Sequence, residues 1–288
     1  MDKPVWTYHF LDNTTFILGN NKNAGKTTFM NLALNRVREV VTPAFLSIGI
    51  DGEPLDLIDG RTKPQIRTLC GDILVTTYPM IQKSEGKYKL LKVFPYHTVL
   101  GQLVIAETLR AGCIELVGPE NNTQLTEVIA YLKGVLGCKH IIIDGAANRK
   151  TPLSSIDNSG FFYVFQANKR TLNKVLETCR LLSYCASLPT YNPKTELDPY
   201  VVEGAFTTNK LNKIPIEYDI IVIDNLSSVF ITYKQLIRLS NYKKLMVKKQ
   251  FSLHAFVAIL KDIDIRELKE RFKKNNIKEE LIINPYVN

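Results

Sequence analysis

The chain has 288 residues, 45% of them hydrophobic and 23% charged, and carries a formal net charge of +9. That balance belongs to a globular protein with ample material for a buried core, and excludes a disordered or low-complexity chain. No apolar run approaches the ~20 residues that a membrane-spanning helix needs.

Taken in order, short apolar runs alternate with helical stretches. Thr14–Gly19 is a compact apolar strand ending in Gly, and Lys26–Val41 is a helix with Met30, Ala33, Val37 and Val40 at helical spacing, stopped by Pro43. Ala44–Ile50 and Ile73–Thr77 are strands. Leu90–Phe94, Gln102–Glu107 and Cys113–Val117 are three more, two of them alternating in polarity, which predicts an antiparallel patch. Asn122–Leu136 is a helix capped by Asn121 or Asn122 and closed by Gly137. His140–Gly145, Phe161–Gln166 and Tyr218–Asp224 are buried strands, with a Leu-rich helix over Arg170–Ser187. Lys244–Val247 and Ala255–Ile259 precede a surface helix at Ile263–Lys274. Continuous apolar strands separated by helices predict an α/β fold: a largely parallel sheet flanked by helices, with a small antiparallel elaboration. No linker divides the chain, so one domain over 1–288 is expected, with an irregular excursion near 188–213 where Pro189, Pro193 and Pro199 fall.

The basic excess lies late, at Lys243, Lys244, Lys248, Lys249, Lys269, Lys273 and Lys274, but Asp264, Glu267 and Glu270 interleave with it. That pattern suits a solvated face or else a docking surface for an acidic partner, and with no nucleic-acid motif present a nucleic-acid partner is not expected. The cysteines, Cys70, Cys113, Cys138, Cys179 and Cys185, are odd in number and form no Cys-x-x-Cys, which predicts buried reduced thiols rather than disulfides or a zinc site. Met1–His9 lacks the build of a secretory leader, so a cytoplasmic location without a membrane partner is expected. His97 and His140 have no second ligand at a metal spacing and read as structural.

One segment carries chemistry. Gly19-Asn-Asn-Lys-Asn-Ala-Gly-Lys-Thr-Thr28 joins the first strand to the first helix, the arrangement in which loop N–H groups and a helix N-terminus cradle phosphates. Asn20, Asn21, Lys22, Asn23, Ala24, Gly25, Lys26, Thr27 and Thr28 are the candidate nucleotide-binding residues. Lys26 would reach the β/γ-phosphates and the Thr27 hydroxyl would ligate Mg2+. The spacing departs from the usual pattern, because Asn20 stands where Gly is expected and Gly19 falls one residue early; Asn is the side chain that best tolerates positive φ. Such a site also wants a carboxylate ending a neighbouring buried strand. Asp144, after His-Ile-Ile-Ile, is favoured over Asp224, after Asp-Ile-Ile-Val-Ile, because Gly145 allows close backbone approach. Asp51 either positions a water or metal or is a turn residue beside Gly52. Arg149, Lys150 and Arg170 are either γ-phosphate stabilisers or surface cations. Asn168-Lys169 lacks the Asp of a guanine-reading motif, since position 171 is Thr, which favours adenine and so ATP.

The 19–28 segment resembles the P-loop NTPase superfamily, in the branch of switch ATPases, metallochaperone GTPases and dethiobiotin synthetase. The signature Lys of some members falls at Asn21 here, with Lys22 one place late. The loop, taken with Asp144-Gly-Ala-Ala-Asn-Arg-Lys150, is similar to the P-loop subunits of reactivating factors for lysine 5,6-aminomutase. That resemblance implies an ATPase that works with a MutS-like subunit on an adenosylcobalamin-dependent aminomutase. The alternatives left open are a small-molecule kinase or ligase of the dethiobiotin synthetase type and a nucleotide-binding regulator that does not hydrolyse.

Overall fold

The computed structural model describes residues 4–19, 24–48, 65–145, 156, 159–194 and 198–284. The chain divides into two compact units, Met1–Phe165 with Asn284–Asn288, and Gln166–Ile283. No shift in composition marks that division, because β9 (Ser159–Ala167) runs continuously through it.

The first unit is built on the order β9-β1-β8-β2-β4-β6-β5. Here β1 is Thr14–Gly19, β2 Ala44–Ser47, β4 Ile73–Thr77, β5 Lys87–Thr98, β6 Gly101–Arg110 and β8 Ile141–Asp144. All six residues of β1 are buried, as a strand central to a covered parallel sheet requires. β9, β1, β8, β2 and β4 pair in parallel; β6 pairs antiparallel with β4, and β5 antiparallel with β6. The short strands β3 (Ile66–Thr68) and β7 (Gly112–Ile114) form a separate antiparallel pair. Helices α1 (Lys26–Val37) and α2 (Tyr78–Lys83) pack on these strands, and α3 (Asn122–Gly134) buries Leu125, Val128, Ile129 and Leu132. The Asn121 side chain accepts the Gln124 N–H as the α3 N-cap. The α/β class and the antiparallel patch expected from alternating polarity are therefore observed.

The second unit holds α4 (Leu172–Ser187) and a parallel set β10-β11-β12 formed by Tyr200–Val202, Ile220–Ile223 and Lys244–Val247. The short α5 (Thr208–Leu211) and α6 (Tyr233–Ser240) lie between those strands in the chain, and α6 starts with a reciprocal cap between Thr232 and Gln235. β13 (Ser252–Leu260) and β14 (Glu280–Ile283) pair in parallel around α7 (Ile265–Lys274), which Asp264 caps. As expected, α7 is a solvated helix that buries Leu268 and Phe272 and exposes its lysines.

Some expectations need correction. The first helix stops at Val37, not Val41, and Val40 is exposed rather than on a buried face. Arg38 turns away to meet Asp72, and Glu39 and Val40 close tighter i,i+3 turns onto Arg36 and Val37. Among the cysteines, all free, Cys179 and Cys185 are buried but Cys70 and Cys113 are exposed. Burial, with the Glu279 carboxylate second, raises the Cys179 thiol well above its ordinary range. Among the described residues no helix is long and apolar enough to cross a membrane.

The Arg38–Asp72 pair clamps the end of α1 to the β3–β4 turn. Its side chains are 9% and 3% exposed. Arg38 Nε and Nη2 donate to the two Asp72 oxygens at 3.0 and 2.5 Å, Nη2 also donates to the Arg67 carbonyl, and Leu69 N–H donates to Asp72 Oδ2 at 2.7 Å. A buried charge that loses its partner is costly, so Asp72→Ala should lower unfolding stability by about 3–5 kcal/mol, measured by urea denaturation. Replacing both residues by apolar ones of similar volume should restore much of that loss.

Candidate functional site

The site lies where β1 gives way to α1. Gly25 caps the helix in the left-handed region, at φ 88° and ψ 20°, a conformation that a side chain there would strain. Its carbonyl accepts the Phe29 N–H at 2.9 Å, so the helix is hydrogen-bonded from its first turn. No acidic residue of the helix itself occupies that turn.

Lys26 and Thr27 follow at once. Lys26 is only 8% exposed. Its stem lies along the bare face of Gly19: a Cβ on Gly19 would stand 3.2 Å from Lys26 Cγ and 2.8 Å from the Val164 carbonyl oxygen. The glycine that falls one residue early for the usual loop pattern thus has a role in packing. The Thr27 hydroxyl donates to Asp144 Oδ2 at 3.2 Å. Asp144 ends β8, level with Ile17 of β1 on one side and Ser47 of β2 on the other. Its backbone is also held, since Ile48 N–H donates to the Asp144 carbonyl and Gly145 N–H to the Ile17 carbonyl. A Cβ on Gly145 would meet Leu18 Cδ2 at 2.5 Å, so Gly145 allows close approach to β1.

Of the two candidate carboxylates, Asp144 therefore meets Thr27. Asp224 lies in the other unit at the end of β11, where Lys248 Nζ sits 2.7 Å from one oxygen and Gly204 N–H donates to the other at 3.1 Å. Ala24 is buried, and Thr28 is half-buried in the first turn of α1. Asn20, Asn21, Lys22, Asn23, Asp51, Arg149 and Lys150 lie outside the described residues. Arg170 is an exposed residue following β9. Asn168 Oδ1 accepts the Thr171 N–H at 2.9 Å, and Lys169 N–H donates to Asp262 at 2.8 Å. His140 accepts the Asp12 N–H through Nδ1, a structural role.

The strand expected over Cys113–Val117 ends at Ile114, and the residues after it serve as a strap instead. Ser47 Oγ donates to the Leu116 carbonyl, Thr76 Oγ1 donates to the Glu115 carbonyl and accepts the Val117 N–H. Gly118 crosses so close to the end of β2 that a Cβ there would fall 1.6 Å from the Ser47 oxygen. The signal available was a Gly-Pro pair after an apolar run, which reads only as a turn.

Chemically, a hydroxyl and a carboxylate in contact are hard oxygen donors, the set that suits Mg2+ completed by phosphate and water. Thr27 and Asp144 fit that ion. Compared with protein-family models, curated proteins and solved structures, the chain matches none.

Gly19→Ala should disturb the site without unfolding the protein. Its added methyl pushes on a backbone oxygen and on the Lys26 stem, overpacking that costs about 1–3 kcal/mol. Urea denaturation should show a loss of that size; unchanged stability would show that the Lys26 stem does not depend on the bare glycine face.

Proposed function

We propose that this chain binds ATP with Mg2+ at Gly25–Thr27 and Asp144 and hydrolyses it to remodel a partner protein in the cytoplasm. The observation that carries this reading is the hydroxyl–carboxylate contact between Thr27 and Asp144 at the start of α1, beside a lysine held along Gly19. The superfamily resemblance of residues 19–28 supports the same nucleotide. In this reading Lys26 and the α1 N-terminus hold the β- and γ-phosphates, and Thr27 with Asp144 holds the ion. When bound, Mg2+ neutralises phosphate charge and orients the oxygens. Asp51 is the proposed group for orienting the attacking water. Thr171 in place of an acid supports adenine over guanine.

The partner follows from the narrower resemblance at Asp144–Lys150: an adenosylcobalamin-dependent aminomutase, handled together with a MutS-like subunit. The absence of a recognisable acceptor motif in the sequence favours a protein as the object of the ATPase over a small metabolite.

The single tryptophan, Trp6, reports on this site. It is buried, with its ring 5.6 Å from that of Phe29 in the first turns of α1. ATP–Mg titration should change Trp6 fluorescence. Lys26→Ala should weaken binding by about 10- to 100-fold, as loss of a charge-assisted contact of about 1.5–3 kcal/mol requires. A variant that binds and turns over ATP–Mg as the wild type does sinks the phosphate-site assignment. Phosphate release that rises only with a metabolite favours the ligase reading, and tight binding with no release favours the regulator.

A further inference from the structure

β5 is the terminal strand of the first unit and its longest, twelve residues or roughly 40 Å of extended chain. One side of its backbone pairs with β6, and the other side pairs with no strand among the described residues. Natural proteins blunt such edges with lysines, and Lys87, Lys89 and Lys92 stand along this one. Blunting does not explain the apolar side chains left in water among them. Leu90 is 39% exposed, Val93 45%, and Val99, at the turn into β6, 86%.

The charge of the hairpin is also one-sided. From Lys87 to Arg110 it carries Lys87, Lys89, Lys92 and Arg110 against Glu107, a formal surplus of four minus one, or three. Lys89 has Glu107 directly opposite, whereas Lys87 faces Arg110, whose Nη2 donates to the Glu85 carbonyl at 2.7 Å. Pro95 removes a donor beyond Val93, and register shifts fall at Lys87/Tyr88, Leu90/Lys92 and Val93/His97, which leaves Tyr88–Leu90 and Lys92–Val93 as the stretches in regular register.

We propose that the free edge of β5 at Lys87–Val93 docks an acidic, apolar extended segment of the partner protein as an added strand. Main-chain hydrogen bonds would supply affinity, Leu90 and Val93 would take apolar side chains, and the lysines would select acids. A second copy of this chain laid along the same edge would set these lysines against their own kind, so the charge pattern selects an acidic partner. The proposal rests on the reading that the ATPase acts on a protein. The turn of the hairpin is tied toward the nucleotide site: Val99 N–H donates to Glu120, two residues beyond Gly118 at the end of β2.

The test uses the full chain and a fluorescein-labelled eight-residue peptide of alternating Glu and Val. Its controls are a Lys/Val peptide and a Glu/Val peptide with two central prolines. The Glu/Val peptide should bind at least tenfold tighter than either control by anisotropy, and should slow amide hydrogen exchange across Tyr88–Val93. Lys87→Glu with Lys89→Glu should lose at least tenfold, whereas the charge-matched Lys269→Glu with Lys273→Glu on α7 should bind as the wild type does. Absent binding, equal binding of the proline peptide, equal loss in the α7 variant, or protection elsewhere would overturn the proposal. A dimer in sedimentation that protects the same amides makes a second copy the occupant and likewise overturns it. The Trp6 response to ATP–Mg, measured on every variant, separates failure of docking from failure of the nucleotide site. A β5 variant that loses that response is set aside, and exchange in the wild-type chain then decides.

Discussion

Parallel pairing of β1 with β8 is the constraint on which the candidate site depends. The register sets Ile17 level with Asp144 and so brings the Asp144 carboxylate to the hydroxyl of Thr27, which belongs to a different segment of the chain. A slip of one residue would turn every side chain of the strand to the opposite face and remove Asp144 from the site. That slip is disfavoured because β8 is also in register with β2, where Asp144 stands level with Ser47, and because it would break the bonds of Ile48 N–H to the Asp144 carbonyl and of Gly145 N–H to the Ile17 carbonyl. Pairing on both sides of one short strand thereby fixes the position of one polar contact, and that contact is where nucleotide chemistry is proposed.

The central strands and the start of α1 were legible from local pattern, because their causes are local. Thr14–Gly19 is a continuous apolar run, Lys26 follows a glycine able to enter the left-handed region, and the run Ile141–Ile143 ends in an acid. What local pattern cannot show is set by residues far apart in the chain. α1 ends early because Arg38 finds Asp72, 34 positions away. Asp144 and Asp224 follow equally apolar runs; Gly145 favoured the first, and the fold gives it a threonine hydroxyl and the other an ammonium group. Gly19 was misplaced by one position against the loop pattern; its contacts with Lys26 and Val164 are visible only once both strands are in register. The strap at Glu115–Gly118 was read as part of a strand over Cys113–Val117, because its bonds to Ser47 and Thr76 come from distant strands.

The hairpin beyond β4 links these levels to a partner. Alternating polarity predicted its antiparallel pairing, but its length, its free edge and the exposure of Leu90, Val93 and Val99 came from topology. Through Glu120, Gly118 and Ser47 its turn is joined by contacts to the strand beside Asp144. An ATPase that acts on another protein needs both a phosphate site and a surface that recognises its target. The first unit offers a candidate for each.

The most direct measurement is a double-mutant cycle on Thr27 and Asp144, read as the Mg2+-dependent part of ATP affinity by calorimetry. If the two residues hold one ion, Thr27→Ala and Asp144→Asn will each lower affinity in Mg2+ far more than in EDTA, and the double variant will lose little beyond the worse single one, a coupling of about 1 kcal/mol or more. Additive losses, or losses that are the same with and without Mg2+, would contradict the account.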